Sequence, residues 1–169
     1  MFEIPNDKDN SVYSIMDWNK ITNSSTNQYK LRELYKKTGN SLYDDDGLAD
    51  IFSRKVIACT KKFGKIGDEV EITFEKPIYK WHFHGTIFAI IGDTKDENDK
   101  PPRPLCDEWG HLYTEINGFY TQRSVVEFIV NISKINNIKE KFPFFKNNPV
   151  KKIQQTGQNF YTKLLNNDF

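Results

Sequence analysis

Few features of this chain mark it for a specialised environment. Cysteine occurs only twice, at Cys59 and Cys106, too seldom for a disulfide framework. Cys59 lies in the apolar run KVIACT and reads as a small buried hydrophobe; a Cys59–Cys106 disulfide is the alternative. No apolar run approaches the roughly 20 residues of a membrane span, so no membrane partner is expected. The net charge is only +1, and no global field recruits nucleic acid. The opening MFEIPNDKDN has no basic stretch followed by an apolar one, so no secretory signal is expected. Alanine is scarce, and there is neither an internal repeat nor a low-complexity segment. No cofactor is implied.

Aromatic residues are plentiful, at 14% of 169 residues, and a chain of this length buries a core without covalent staples. Three segments are expected: an N-terminal arm over 1–19, a helix-plus-barrel domain over 20–132 and a C-terminal extension over 133–169. Ser24, Ser25 and Thr26 are candidate N-caps. Tyr29, Leu31, Leu34 and Tyr35 recur at helical spacing up to Gly39, predicting a helix from about Asn27 to Thr38.

From Lys55 the period changes to that of strands. KVIACT is a short apolar strand, and KKFGKIGDE is a tight connection through Gly64 and Gly67. EVEITFE alternates, with Val70, Ile72 and Phe74 on one face and Glu69, Glu71, Thr73 and Glu75 on the other. TIFAIIGD and SVVEFIVNIS are further strands. Pro101, Pro102 and Pro104 interrupt the long connection DTKDENDKPPRPLCDEWGH, and long connections in compact domains are often functional. Past Asn131 the chain turns polar and is expected to be an irregular tail, with VKKIQQTGQNFYTKLL as a final strand pair around Gly157. The economical architecture is mainly β: a small six-stranded closed barrel with an N-terminal helix packed on it.

Several residues carry candidate chemistry. Asp93 follows the most apolar strand, just past Gly92. It is either an Asx turn residue bonded to nearby backbone N–H groups or a carboxyl with a pKa raised by desolvation. Lys95 nearby lowers that pKa and favours the turn. His82 and His84 share one strand face; with His111 they make a three-imidazole set of the kind that holds zinc, the alternative being exposed histidines. Trp81 and Trp109 suit stacking against sugar rings, or anchoring of core and loops. Glu127 is the one charge in SVVEFIVN. It faces outward by alternation, or inward with His111 or Lys95 as partner. Cys106 and His111 lie in one loop, poor geometry for a nucleophile and its base. GKIG is too short for a phosphate loop.

The ordered set RKVIACTKKFGKIGDEVEITFE, IFAIIGDTK, WGH and SVVEFIVN resembles a small domain of Firmicutes and their phages. The upstream Ser24–Ser25 patch, QYKL at 28–31 and DDDG at 44–47 match as well, so the resemblance spans about residues 20–132. Such domains occur in phage tail and cell-wall-associated proteins. They are similar to the double-psi β-barrels of rare lipoprotein A-like lytic transglycosylases and expansins. The resemblance implies Asp93 as the catalytic acid/base and His111 as its partner, with Trp81, Trp109, Lys95 and Glu127 in contact with substrate. It implies peptidoglycan glycan strands and other virion or tail subunits as partners, and a location in a phage tail or at the cell wall after release. The rival reading is a non-catalytic virion protein whose barrel is a docking module and whose aromatic FPFFKNNP segment meets neighbouring subunits. A carbohydrate-binding module is a third.

Overall fold

The computed structural model describes residues 2–3, 15–59, 61–74, 85–94, 114–116, 119–121, 126–134 and 150–169. Among the described residues the strands and α-helices occur in the order β1 (Phe2–Glu3), β2 (Ile15–Asp17), α1 (Asn27–Lys36), β3 (Asp50–Ile51), β4 (Arg54–Cys59), β5 (Asp68–Phe74), β6 (Thr86–Thr94), β7 (Thr114–Ile116), β8 (Phe119–Thr121), β9 (Val126–Val130), β10 (Val150–Asn159) and α2 (Phe160–Leu165). β7 and β8 form a separate two-stranded sheet; the rest form one mixed sheet in the order β1-β10-β5-β6-β4-β9-β2, with β3 added beside β4. The β4–β6 and β2–β9 pairs are parallel and the others antiparallel.

The mainly β architecture expected of the sequence is present. Without the two-residue β1 and β3, the sheet has six strands. Among the described residues no pairing joins its two ends, so the sheet is open. Residues 150–169 depart from expectation: in place of an irregular tail or a strand pair, β10 runs through Gly157, enters the sheet between β1 and β5, and leads into α2. Residues 135–149, with the aromatic FPFFKNNP segment, lie outside the described residues. Asn159 ends the strand and caps the helix, its side-chain oxygen accepting from the Thr162 N–H at 2.8 Å.

Each face of the sheet carries a buried apolar cluster. Alternation on β5 points Val70, Ile72 and Phe74 inward, where they meet Ile87, Ala89 and Ile91 of β6 and Val126, Phe128 and Val130 of β9. Ile57 and Cys59 of β4 and Ile153 of β10 belong to the same cluster. The Cys59 thiol is free, and burial followed by the charge of Asp68 pushes its pKa up to about 12, so it serves as a hydrophobe.

The opposite face carries Val56, Ile90 and Ile129, covered by Leu31 and Tyr35 of α1 and by Phe160 and Leu164 of α2. α1 starts where the Thr26 hydroxyl accepts from the Tyr29 N–H at 3.3 Å. It ends two residues before the predicted Thr38, ahead of Gly39 at φ +84°.

Glu69, expected on the solvent-facing row, is only 3% exposed. Arg54 donates to its Oε2 at 2.7 Å and Thr156 to its Oε1 at 2.7 Å, so the buried charge is paired and hydrogen-bonded. Among the described residues no helix is long and apolar enough to cross a membrane.

Candidate functional site

The site is built on a defect in the β4–β6 pairing. Ile57 pairs with Ile91, yet the next residue of β4, Ala58, pairs with Asp93. Gly92 is the extra residue of a β-bulge. In an uninterrupted strand, Asp93 would share the inward parity of Ile87, Ala89 and Ile91 and bring a carboxylate into the apolar core. The bulge turns it to the face that carries the helices. A side chain at 92 is sterically excluded: a Cβ there would lie 2.3 Å from Cγ1 of Val56. The glycine is needed for close approach of two strands.

Asp93, once turned, falls in one cross-strand row with two other residues. Ala58 pairs with Asp93 on one side and with Glu127 of β9 on the other. Two carboxylates thus flank a buried alanine across two strand spacings, roughly 10 Å of backbone separation, with only a methyl group between them. Glu127 takes the outward orientation that alternation predicts. Val126 and Phe128, on either side of it, point into the inner core.

α1 supplies the third group. The Gln28 Nε2 donates to Asp93 Oδ1 at 3.2 Å. Burial raises the Asp93 pKa above the usual carboxylate value. The Thr94 N–H opposes this, the nearby Glu127 charge adds to it, and the Gln28 amide opposes it again. Asp93 lies within β6 rather than in a turn, and the desolvation expected of a carboxyl at this position is what raises its pKa.

Beside Asp93 opens a polar groove of about 510 Å³, lined by Asn27, Thr94, Lys61, Lys65, Asp68 and Gln155 among others. Asp93 is not in its wall; its neighbour Thr94 is. The opposite wall is the loop between β4 and β5. There Phe63 is buried in the inner core, and its carbonyl accepts from Gln155 Nε2 at 2.8 Å. Gly67 (φ +90°) ties this loop down, its N–H donating to the Ile91 carbonyl at 2.8 Å and its own carbonyl accepting from the Phe160 N–H at 2.7 Å. A Cβ at Gly67 would lie 2.7 Å from the Tyr161 backbone nitrogen.

Of the residues singled out in the sequence, Asp93 and Glu127 are brought together on one face. Trp81, His82, His84, Lys95, Cys106, Trp109 and His111 lie outside the described residues. Sequence reasoning missed Gln28 and Ala58 as neighbours of Asp93, and Lys61 and Lys65 in the wall of the groove. A glycine inside an apolar strand is a bulge signal, and applied to Gly92 it predicts the reversal that puts Asp93 level with Glu127. The chain matches no protein-family model, no curated protein and no solved structure, and the geometry of this row is the ground on which a function stands.

Proposed function

We propose that the chain is a phage-associated, peptidoglycan-directed domain that cleaves cell-wall glycan strands as a lytic transglycosylase, with Asp93 as the acid/base. The observation that carries this is the raised pKa of a half-buried carboxyl that a glycine bulge turns out of the core, level with a second carboxylate. Cleavage without water needs one group to protonate the glycosidic oxygen and then to take the proton from the sugar hydroxyl that attacks the anomeric carbon. A single carboxyl serves both steps: the proton it gives leaves on the glycosidic oxygen, and the proton it takes from the attacking hydroxyl restores the acid. Gln28 donates to Oδ1 and holds the carboxyl in place. Glu127 favours the protonated form at the start of the cycle. In this reading His111 assists Asp93, and Trp81 and Trp109 stack against the sugar rings.

We assign the sheet to the double-psi barrel class on the same footing. Supporting this are the two parallel pairs within an otherwise antiparallel sheet and the single inner cluster that draws side chains from β10 at one side to β9 at the other. A virion or tail location, with other subunits as partners, belongs to the same proposal. The non-catalytic docking reading draws on a different observation, the exposure of Phe88, Leu165 and Phe169.

Zymography on purified cell walls tests the enzymatic reading. Asp93→Asn keeps an acceptor for Gln28 and removes the proton. Clearing by the wild type alone is expected. Clearing by both proteins removes Asp93 from the reaction, and clearing by neither favours the docking module.

A further inference from the structure

We infer that the groove beside Asp93 recognises a carboxylate carried by the glycan ligand, and that Lys61 and Lys65 are the residues that read it. The inference rests on the glycan-directed reading above and adds the charge of the substrate to it.

Both lysines line the groove, and among the described residues neither side chain has an ion-pair or hydrogen-bond partner. Lys55, by contrast, is held between Asp44 and Asp50. Asp68 is the acidic residue of the groove wall, and its carboxylate is already committed. Its Oδ2 accepts from the Lys65 backbone N–H at 2.9 Å and its Oδ1 from Asn159 Nδ2 at 2.9 Å. The ammonium groups of Lys61 and Lys65 are therefore not neutralised by it through a direct bond.

The remaining polar wall is neutral: Asn27, Thr94 and Gln155 offer amide and hydroxyl groups suited to sugar hydroxyls. The wall is rigid on the lysine side, because Phe63 and Gly67 fasten the loop to the core and to α2. Thr94 joins the groove to Asp93 through one peptide bond. A saccharide seated in the groove with its anionic substituent toward the lysines would contact the strand end that carries Asp93.

Two carboxylates are available on such a glycan: the lactyl group of muramic acid, and the carboxylates of a peptide stem attached to it. Isothermal titration with three soluble ligands separates them: neutral chitotetraose, a muramic-acid tetrasaccharide with free lactyl groups, and a muropeptide whose carboxylates lie only on the stem. One carboxylated ligand is expected to bind more tightly than chitotetraose, and the tighter of the two identifies the source. In K61A/K65A that advantage is expected to drop about three- to tenfold, as for two partly exposed ion pairs, while chitotetraose binding is unchanged. The wild-type advantage is also expected to shrink as salt rises. Equal binding of neutral and carboxylated ligands, or an advantage that survives K61A/K65A, overturns the inference and leaves the glycan reading standing. Binding of none of the three overturns both. Both lysines contribute only side chains at exposed positions, so circular dichroism of the variant is expected to match the wild type.

Discussion

The two faces of the sheet solve burial differently. The inner face holds one apolar cluster, filled by the alternating residues of β5, β6, β4 and β9 with Ile153 of β10. The outer face is apolar only where α1 and α2 lie on it; at its margins sit Asp93, Glu127 and the Arg54–Glu69–Thr156 group. A helix covers a limited patch of sheet, and where the cover ends a polar side chain keeps contact with water or with a partner. The Gly92 bulge is what moves Asp93 from the first environment to the second.

The contrast is most strongly broken from the inside. Phe128 is fully buried in the inner cluster, and Phe128→Ala is expected to cost about 4 kcal/mol, read as a lower urea midpoint at unchanged slope. Gly92→Ala attacks the bulge. Its Cβ meets a strand residue at 2.3 Å, and relief requires strand displacement, so a loss of about 2–3 kcal/mol is expected. The same substitution shifts the row that holds Asp93, and cell-wall clearing is expected to fall with it. A Gly92→Ala protein of wild-type stability would mean that the two strands are not in close approach.

The smallest effect concerns the outer rim alone. Because the folded pKa of Asp93 is raised, the folded state binds the proton more tightly than the unfolded chain. Its contribution to stability is present below the ordinary carboxylate value and is lost as pH rises through the folded value. Asp93→Asn, which cannot ionise, is expected to be more stable than the wild type near neutral pH. The difference should vanish below about pH 3, as measured by thermal unfolding at a series of pH values. An Asp93→Asn protein that is less stable at neutral pH would place the carboxylate in a favourable ion pair.

Local pattern carried much of this architecture. The spacing of Leu31 and Tyr35 with a capping Thr26 predicts α1, and the alternation of Val70, Ile72 and Phe74 predicts the inward face of β5; both are found. Long-range pairing set the rest. Glu69 reads as solvent-facing on β5, but Thr156, 87 residues away in sequence, and Arg54 close over it. Gly157, at φ +91°, reads as a hairpin turn, whereas it lies within a register shift of the β10–β5 pairing. At the site, Asp93 and Glu127 are visible as isolated acids in apolar strands. Their alignment depends on which strand lies between them and on the one-residue bulge, and neither is a property of a local window.

β10 has a further consequence for how the molecule is made. It lies between β1 and β5, so residues 150–159 must be available before Phe2–Glu3 or the free side of β5 finds its partner. Until then β5 presents an unsatisfied row of backbone groups, the kind of edge that recruits other chains. A nascent chain halted on the ribosome before this segment emerges is thus the form most exposed to aggregation, and holdase chaperones would act during that interval.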